Sequence, residues 1–151
     1  MQCPENFERK DYGGYEFCYK PGRVSYEKAK DNCHSNGLRV IEIDSENKSM
    51  ALDSFANRDY AWLGLVCPSQ TDKCLSNFDL WIWENSKRRL IDTSGWEKHF
   101  YKSGSTIRGG TPGKYCVHWW YKGSTKSHWV SQTCTKGYGT LCEKGMHHLR
   151  Q

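Results

Sequence analysis

The chain has 151 residues and a mass of 17.6 kDa, which reads as one domain with enough residues to bury a core. Charged residues make up 26% and the mean hydropathy is −0.86, and no apolar run approaches the length of a membrane span. The net charge of +5 is unevenly spread: residues 86–136 hold ten Lys and Arg against Asp92 and Glu97, for +8, and the remainder sums to −3. A cationic half suits an anionic partner, the bland alternative being solvated loop lysines.

Eight cysteines occur without a C-x-x-C pair, which excludes a zinc ribbon or thioredoxin-type site and reads as four disulfides formed in an oxidising compartment. The even count alone leaves the connectivity open. Met1-Gln2 is too short to be a signal peptide, so the expectation is a mature secreted product. Aromatic residues reach 14%, and in a chain poor in Leu, Ile and Val large rings must supply much of the buried area.

In chain order, residues 3–20 read as a short strand pair turning at Tyr12-Gly13-Gly14-Tyr15. Ser25 caps a helix over 26–35, with Tyr26, Ala29 and Cys33 on one face and Asn36-Gly37 at its end. Residues 38–43 alternate apolar and polar like a strand. Asp44-Ser45 then cap a second helix over 46–57, with Met50, Leu52 and Phe55 among its apolar residues. Ala61–Val66 is a buried apolar strand. Residues 67–114 read as a long irregular region with short aromatic islands, and such loops are usually functional or disordered. Residues 115–121 and 127–130 pair as strands across Lys122-Gly123-Ser124-Thr125, residues 139–143 form a last strand, and the tail from Gly145 is expected to fray.

Trp129-Val130-Ser131-Gln132-Thr133-Cys134 followed by Thr140-Leu141-Cys142-Glu143-Lys144 resembles the C-terminal end of a C-type lectin-like domain. Further landmarks occur in order across residues 3–144. Cys3-Pro4 with Cys18-Tyr19 resembles the N-terminal hairpin of the long form, and Ser25-Tyr26 with Ala29 and Cys33 its first helix. Ala61-Trp62-Leu63-Gly64-Leu65 is similar to its central strand, and Trp81-Ile82-Trp83 to the next landmark. The resemblance implies an α+β fold: two helices flanking antiparallel sheets, with a long loop region. It also implies the pairings Cys3–Cys18, Cys33–Cys142 and Cys116–Cys134, leaving Cys67 and Cys74 to close a loop of their own.

Sugar-binding members hold calcium through a proline-centred triplet, a Glu before the third-strand cysteine and an Asn-Asp after the tryptophan. The corresponding positions here fall near Thr106-Ile107-Arg108, on Lys114 and on Val130-Ser131. No carboxylate remains among them and Arg108 and Lys114 are cations, whereas calcium takes roughly six to eight oxygen ligands. The only nearby proline, Pro112, lies in Gly-Thr-Pro-Gly. Calcium is therefore not expected at the usual sugar site, and no cofactor is expected elsewhere. A second, structural calcium position implied by the family falls on Asn47 (or Glu46) and Glu143; the bland reading is a capping Glu46 and an exposed Glu143. Asn47-Lys48-Ser49 is also a glycosylation sequon.

His99, His118 and His128 raise the question of catalysis, but no nucleophile elbow, phosphate-binding glycine loop or H-E-x-x-H occurs, so the expectation is no enzyme. Trp62, Trp81, Trp83 and Trp129 read as core, while Trp96, Trp119 and Trp120 stay open between core and ligand contact. Adjacent strand residues face opposite ways, so at most one of Trp119 and Trp120 joins any one surface. The candidate ligand-binding residues are Lys87, Arg88, Arg89, Lys98, Arg108, Lys114, Trp96 and Trp120. They suggest a calcium-independent, extracellular recognition module for a protein or an anionic, for example sulfated, glycan. Nucleic acid is set aside because the disulfides place the chain outside the cell. A divergent carbohydrate-binding lectin and a subunit that acts by pairing with another copy are the rival readings.

Overall fold

The computed structural model describes residues 2–54, 60–93, 96, 113–122 and 126–145, with backbone alone for 120–122 and 126–128. The order is β1 (Glu8–Tyr12), β2 (Tyr15–Val24), α1 (Tyr26–His34), β3 (Leu38–Val40), α2 (Glu46–Leu52), β4 (Ala61–Val66), β5 (Ile82–Trp83), β6 (Cys116–Lys122), β7 (Lys126–Gln132) and β8 (Tyr138–Lys144). The strands run in the order β1-β2-β8-β4-β6-β7, with β3 on β8 and β5 on β4. All ladders are antiparallel except the contact of Ala61 with Gly139, where β4 and β8 run the same way. The sheet is therefore mixed rather than wholly antiparallel.

The turn between β1 and β2 forms at Gly13 and Gly14, whose φ of +58° and +84° are the left-handed pair that a two-residue hairpin turn requires. Helix α1 starts where Ser25 accepts a hydrogen bond from the Lys28 amide at 3.2 Å. It buries Tyr26, Ala29 and Cys33, the expected face. Helix α2 is capped in the same way by Ser45, which accepts from the Lys48 amide at 3.1 Å. Its helical span ends at Leu52, and residues 55–59 lie outside the described set. Met50 does not join its core face and is 59% exposed, while Lys48, Ser49, Ala51 and Leu52 are buried.

Residues 38–43 depart most from expectation. The ladder with β8 stops at Val40, after which the Ile41 carbonyl accepts from the Gly64 amide at 2.8 Å. All six residues are buried, Arg39 and Glu42 included, so the polar positions do not face solvent. Gly64 permits this approach, since a Cβ there would stand 3.1 Å from the Ile41 carbonyl oxygen.

The alternation of β4 feeds two cores. Leu63 and Leu65 pack with Phe17, Trp81, Trp83, Trp119 and Trp129, and Trp83 meets Trp129 edge-on at 5.5 Å. Trp62 and Val66 face the other way, onto Tyr26, Ala29, Val40 and Cys116. Trp62 also meets the Tyr138 ring edge-on at 5.0 Å, and Tyr138 lies flat on His118 at 3.9 Å. Trp119 thus belongs to the core.

Residues 67–93 are more built than their composition suggested. Short 3-10 turns at Asp72–Leu75, Phe78–Leu80 and Leu90–Asp92 flank β5. The buried indole of Trp81 donates to the Cys74 carbonyl at 2.9 Å, and that of Trp83 donates to Thr93 Oγ1 at 2.7 Å. Large rings with one polar handle thereby supply order where aliphatic periodicity is missing.

The four disulfides join Cys3–Cys18, Cys33–Cys142, Cys67–Cys74 and Cys116–Cys134, as the resemblance implied. Cys33–Cys142 spans a sequence separation of 109 and Cys67–Cys74 one of 7. Loop-closure entropy makes the first worth about 5 kcal/mol and the second about 2.5 kcal/mol. Replacing each pair by Ala and measuring guanidinium unfolding is expected to show the larger loss for Cys33/Cys142. A second expectation concerns His118, whose pKa falls from 6.5 to about 4 because it is buried, with Lys136 and Lys114 pushing the same way. The unfolded chain takes up the proton first, so stability is full above pH 6.5 and declines as pH falls toward about 4, by about 3 kcal/mol in all. Unfolding series at the two ends of that window test this, and His118→Phe is expected to remove that share of the pH dependence.

Candidate functional site

Three groups of residues bear on function: the loop-end position and the structural position where the family resemblance implies calcium in some members, and the basic turn after β5. At the first, Lys114 is half-buried just before β6, and Val130 and Ser131 are buried on β7. Val130 pairs with His118 and Ser131 with Val117. An apolar side chain, a hydroxyl and an ammonium stand here where calcium needs anionic oxygens. Thr106, Ile107, Arg108 and Lys98 lie outside the described residues. Among the described residues no group of three or more His, Cys, Asp or Glu is arranged to hold a metal ion.

The structural position is filled by the protein's own cations. Glu143 is 6% exposed rather than on the surface. One of its oxygens, Oε1, takes an ion pair from Lys48 Nζ. The other, Oε2, accepts from Arg39 Nε at 3.1 Å and from the Glu42 amide at 3.0 Å. The Glu42 carboxylate continues the network: Oε2 accepts from the amides of Asn85 at 2.7 Å and Ser86 at 3.1 Å. Its Oε1 stands 3.7 Å from Arg39 Nη1. Two carboxylates and two cations thus balance inside the protein, at a point where β3, α2, β8 and the turn after β5 meet. A divalent ion at Glu143 would have to displace Lys48. Asn47, the other candidate ligand, is exposed on α2 while its neighbour Lys48 turns inward. The described residues do not fit calcium at either position.

The basic turn comes from Trp83 at the end of β5. The Lys87 amide donates to the Trp83 carbonyl and the Trp83 amide to the Arg88 carbonyl, each at 2.8 Å. Lys87 has a φ of +66° and is exposed, while Arg88 is half-buried. Arg89 is exposed but pairs with Asp92 at 3.2 Å. Lys87 sits at the rim of a cavity of about 280 Å³. Tyr26, Lys30, Glu42 and Glu84 also line it, and there the Tyr26 hydroxyl donates to Glu84 Oε1 at 2.6 Å. Lys114 is not beside this turn. Val66 pairs with Ile82 on one side and Cys116 on the other, and Ile82 bridges to Arg89. Three strand spacings, roughly 14 Å, therefore separate Arg89 from the start of β6.

Trp96 is half-buried and lies on Phe78, ring centroids 4.4 Å apart. The Trp120 side chain lies outside the described set, as do His99 and the side chain of His128. His118 is buried, and its ring nitrogen Nδ1 lies 3.2 Å from the Trp119 carbonyl oxygen. It is a packed strand residue. The sequence reading missed the Arg39–Glu42–Lys48–Glu143 network. Its one legible trace is the pair of charges at Arg39 and Glu42, three residues apart in an otherwise apolar run.

Removing one member of a buried ion pair strands its partner, at a typical cost of 3–5 kcal/mol. Lys48→Met is expected to lower unfolding free energy by about 3 kcal/mol or more, measured by urea titration, whereas Asn47→Ala on the exposed side of the same helix should change it little.

No curated protein matches the chain. Among solved structures, the C-type lectin domain of murine dendritic cell inhibitory receptor 2, in complex with N-glycan, superposes with a TM-score of 0.63 at 14% identity, covering 93% of this chain and 97% of that one. The mouse scavenger receptor C-type lectin carbohydrate-recognition domain gives 0.60 at 19% identity, with 93% and 94% covered. A calcium-independent type II antifreeze protein gives 0.60 at 13% identity, with 93% and 92% covered. The family described as Lectin C-type domain matches residues 22–144, and the chain belongs to it.

Proposed function

We propose that this C-type lectin domain recognises an extracellular protein or anionic glycan through its loop end, without calcium. The family is one of ligand recognition, and the four disulfides agree with an extracellular setting. Among the described residues no helix is long and apolar enough to cross a membrane. The observation that carries the reading is the Lys48 ammonium on Glu143, a cation supplied by the chain itself where the family resemblance implies a structural metal in some members. At the loop end, buried Val130 and Ser131 carry no anionic oxygen for calcium and Lys114 adds a positive charge, which supports it further. The likeness to a calcium-independent type II antifreeze protein agrees with a fold that stands without the ion.

A second reading, a divergent sugar-binding lectin, draws on Trp96. A partly exposed indole packed against Phe78 is a candidate contact for a sugar ring. A glycan array separates the two readings, sulfated glycans favouring the first and neutral ones the second.

Heparin binding, followed by calorimetry with and without chelator, tests the leading reading. Affinity is expected to be unchanged by chelation and to weaken about tenfold in a Lys87→Gln, Arg88→Gln, Arg89→Gln variant, as the loss of a few modest surface charge contacts would give. Loss of binding on removing calcium would overturn it.

A further inference from the structure

A second concave surface lies at the opposite end of β4 from the loops. The loop region leaves β4 at Val66, whereas this cleft is formed around Tyr60, just before Ala61. At about 3.3 Å per residue, β4 holds the two roughly 20 Å apart. The cleft has a volume of about 710 Å³, within the roughly 300–1,000 Å³ of pockets that take small ligands.

Its shape follows from a slip in register. Lys20 pairs with Thr140 and Val24 with Tyr138, so three residues of β2 lie opposite one of β8. Pro21, Gly22 and Arg23 bulge away from the sheet, with Gly22 at a φ of +111°. The facing wall needs glycines. A Cβ on Gly137 would stand 2.8 Å from Arg23 Cβ, and one on Gly139 would stand 2.7 Å from the Tyr60 carbonyl oxygen. The Gly139 amide donates to that same carbonyl at 3.0 Å, tying the floor to the start of β4.

The chemistry of the walls is one-sided. Arg23 and Lys136 are exposed cations, and among the described residues the cleft is lined by no carboxylate and neither cation has an ion-pair partner. The tyrosines add flat faces and hydroxyls. Tyr138 is fixed by the stack on His118 and the edge contact with Trp62. Its hydroxyl accepts from Gln132 Nε2 at 3.3 Å, which leaves the phenol proton to be donated elsewhere. The Arg23 guanidinium lies close enough for its charge to act on that phenol.

We propose that this cleft binds an acidic saccharide unit, a hexose ring bearing a carboxylate or sulfate, with the anionic group on Arg23 and Lys136 and the ring against Tyr60 and Tyr138. An inorganic anion would leave most of the volume and the tyrosine faces unused, and a neutral sugar would leave two cations without a partner. The site does not depend on the loop reading and is tested separately from it.

The test is a titration of the isotope-labelled protein, followed by amide chemical shifts, with glucuronic acid and glucose 6-sulfate, and with glucose and inorganic sulfate as controls. The acidic sugars are expected to shift the amides of Gly137, Tyr138 and Gly139 saturably, and each control to bind at least tenfold more weakly. Arg23→Gln with Lys136→Gln, both exposed and so tolerated by the fold, should weaken binding at least tenfold. Tyr138→Phe keeps the stacked ring and should weaken it several-fold, while the Lys87→Gln, Arg88→Gln, Arg89→Gln variant should leave it unchanged. Equal binding of glucose or of sulfate alone, or indifference to the Arg23/Lys136 change, would overturn the proposal. Shifts confined to residues 84–89 and 114–116 would overturn it too, while leaving the loop reading standing.

Discussion

The Glu143 carboxylate, one residue beyond the Cys142 bridge, is the point on which the fold's separate parts are fastened together. It draws in Lys48 from α2, Arg39 from β3 and the Glu42 backbone, and Glu42 in turn holds the backbone of Asn85 and Ser86. Burying four charges is costly unless every one is met. Three of the four carboxylate oxygens accept hydrogen bonds or an ion pair at close range, and the fourth keeps Arg39 within 3.7 Å. The network ties α2 and the turn after β5 to β8 in addition to the apolar packing of Ala51, Leu52, Trp83 and Leu90. It does so with cations that the chain itself supplies, Lys48 and Arg39.

Local chemistry made much of the fold legible in advance. Ser25 and Ser45 cap their helices, the Tyr26–Ala29–Cys33 face is buried, Ala61–Val66 is a strand and Gly13-Gly14 is a turn, because each follows from residues within a few positions of one another. The cysteine pairing followed from family likeness, the count itself being silent on it. What stayed hidden depends on long-range partners. Arg39 and Glu42 read as the solvent face of a strand, yet their partner Glu143 lies 104 and 101 positions away. Lys48 looks like an ordinary surface residue of an amphipathic helix until Glu143 is placed beneath it. The order in residues 67–93 was hidden for a related reason, since single indole hydrogen bonds from Trp81 and Trp83 leave no periodicity to read.

The candidate site was legible as chemistry and less so as geometry. The loss of carboxylates at Lys114, Val130 and Ser131 is visible in the residues themselves. The grouping of basic residues is not, because a run of charge in sequence says nothing about strand order. Arg89 faces its own counter-ion Asp92, Lys87 borders a cavity shared with Glu42 and Glu84, and Lys114 stands across the sheet from both. Arg23 and Lys136 were unremarkable in sequence, being 113 positions apart. They become neighbours only because β2 slips against β8 and glycine backbone lets the walls close in.

The two amides that Glu42 holds have a consequence for how the loop end and the interior communicate. Asn85 and Ser86 open the segment that presents Lys87 and Arg88, so the seat of any molecule docked there is part of the buried ionic core. Any molecule that bound the folded domain at that turn would raise the work of unfolding by mass action. The backbone that presents Lys87 and Arg88 is thereby tied, through Glu42 and Arg39, to Glu143 and Lys48.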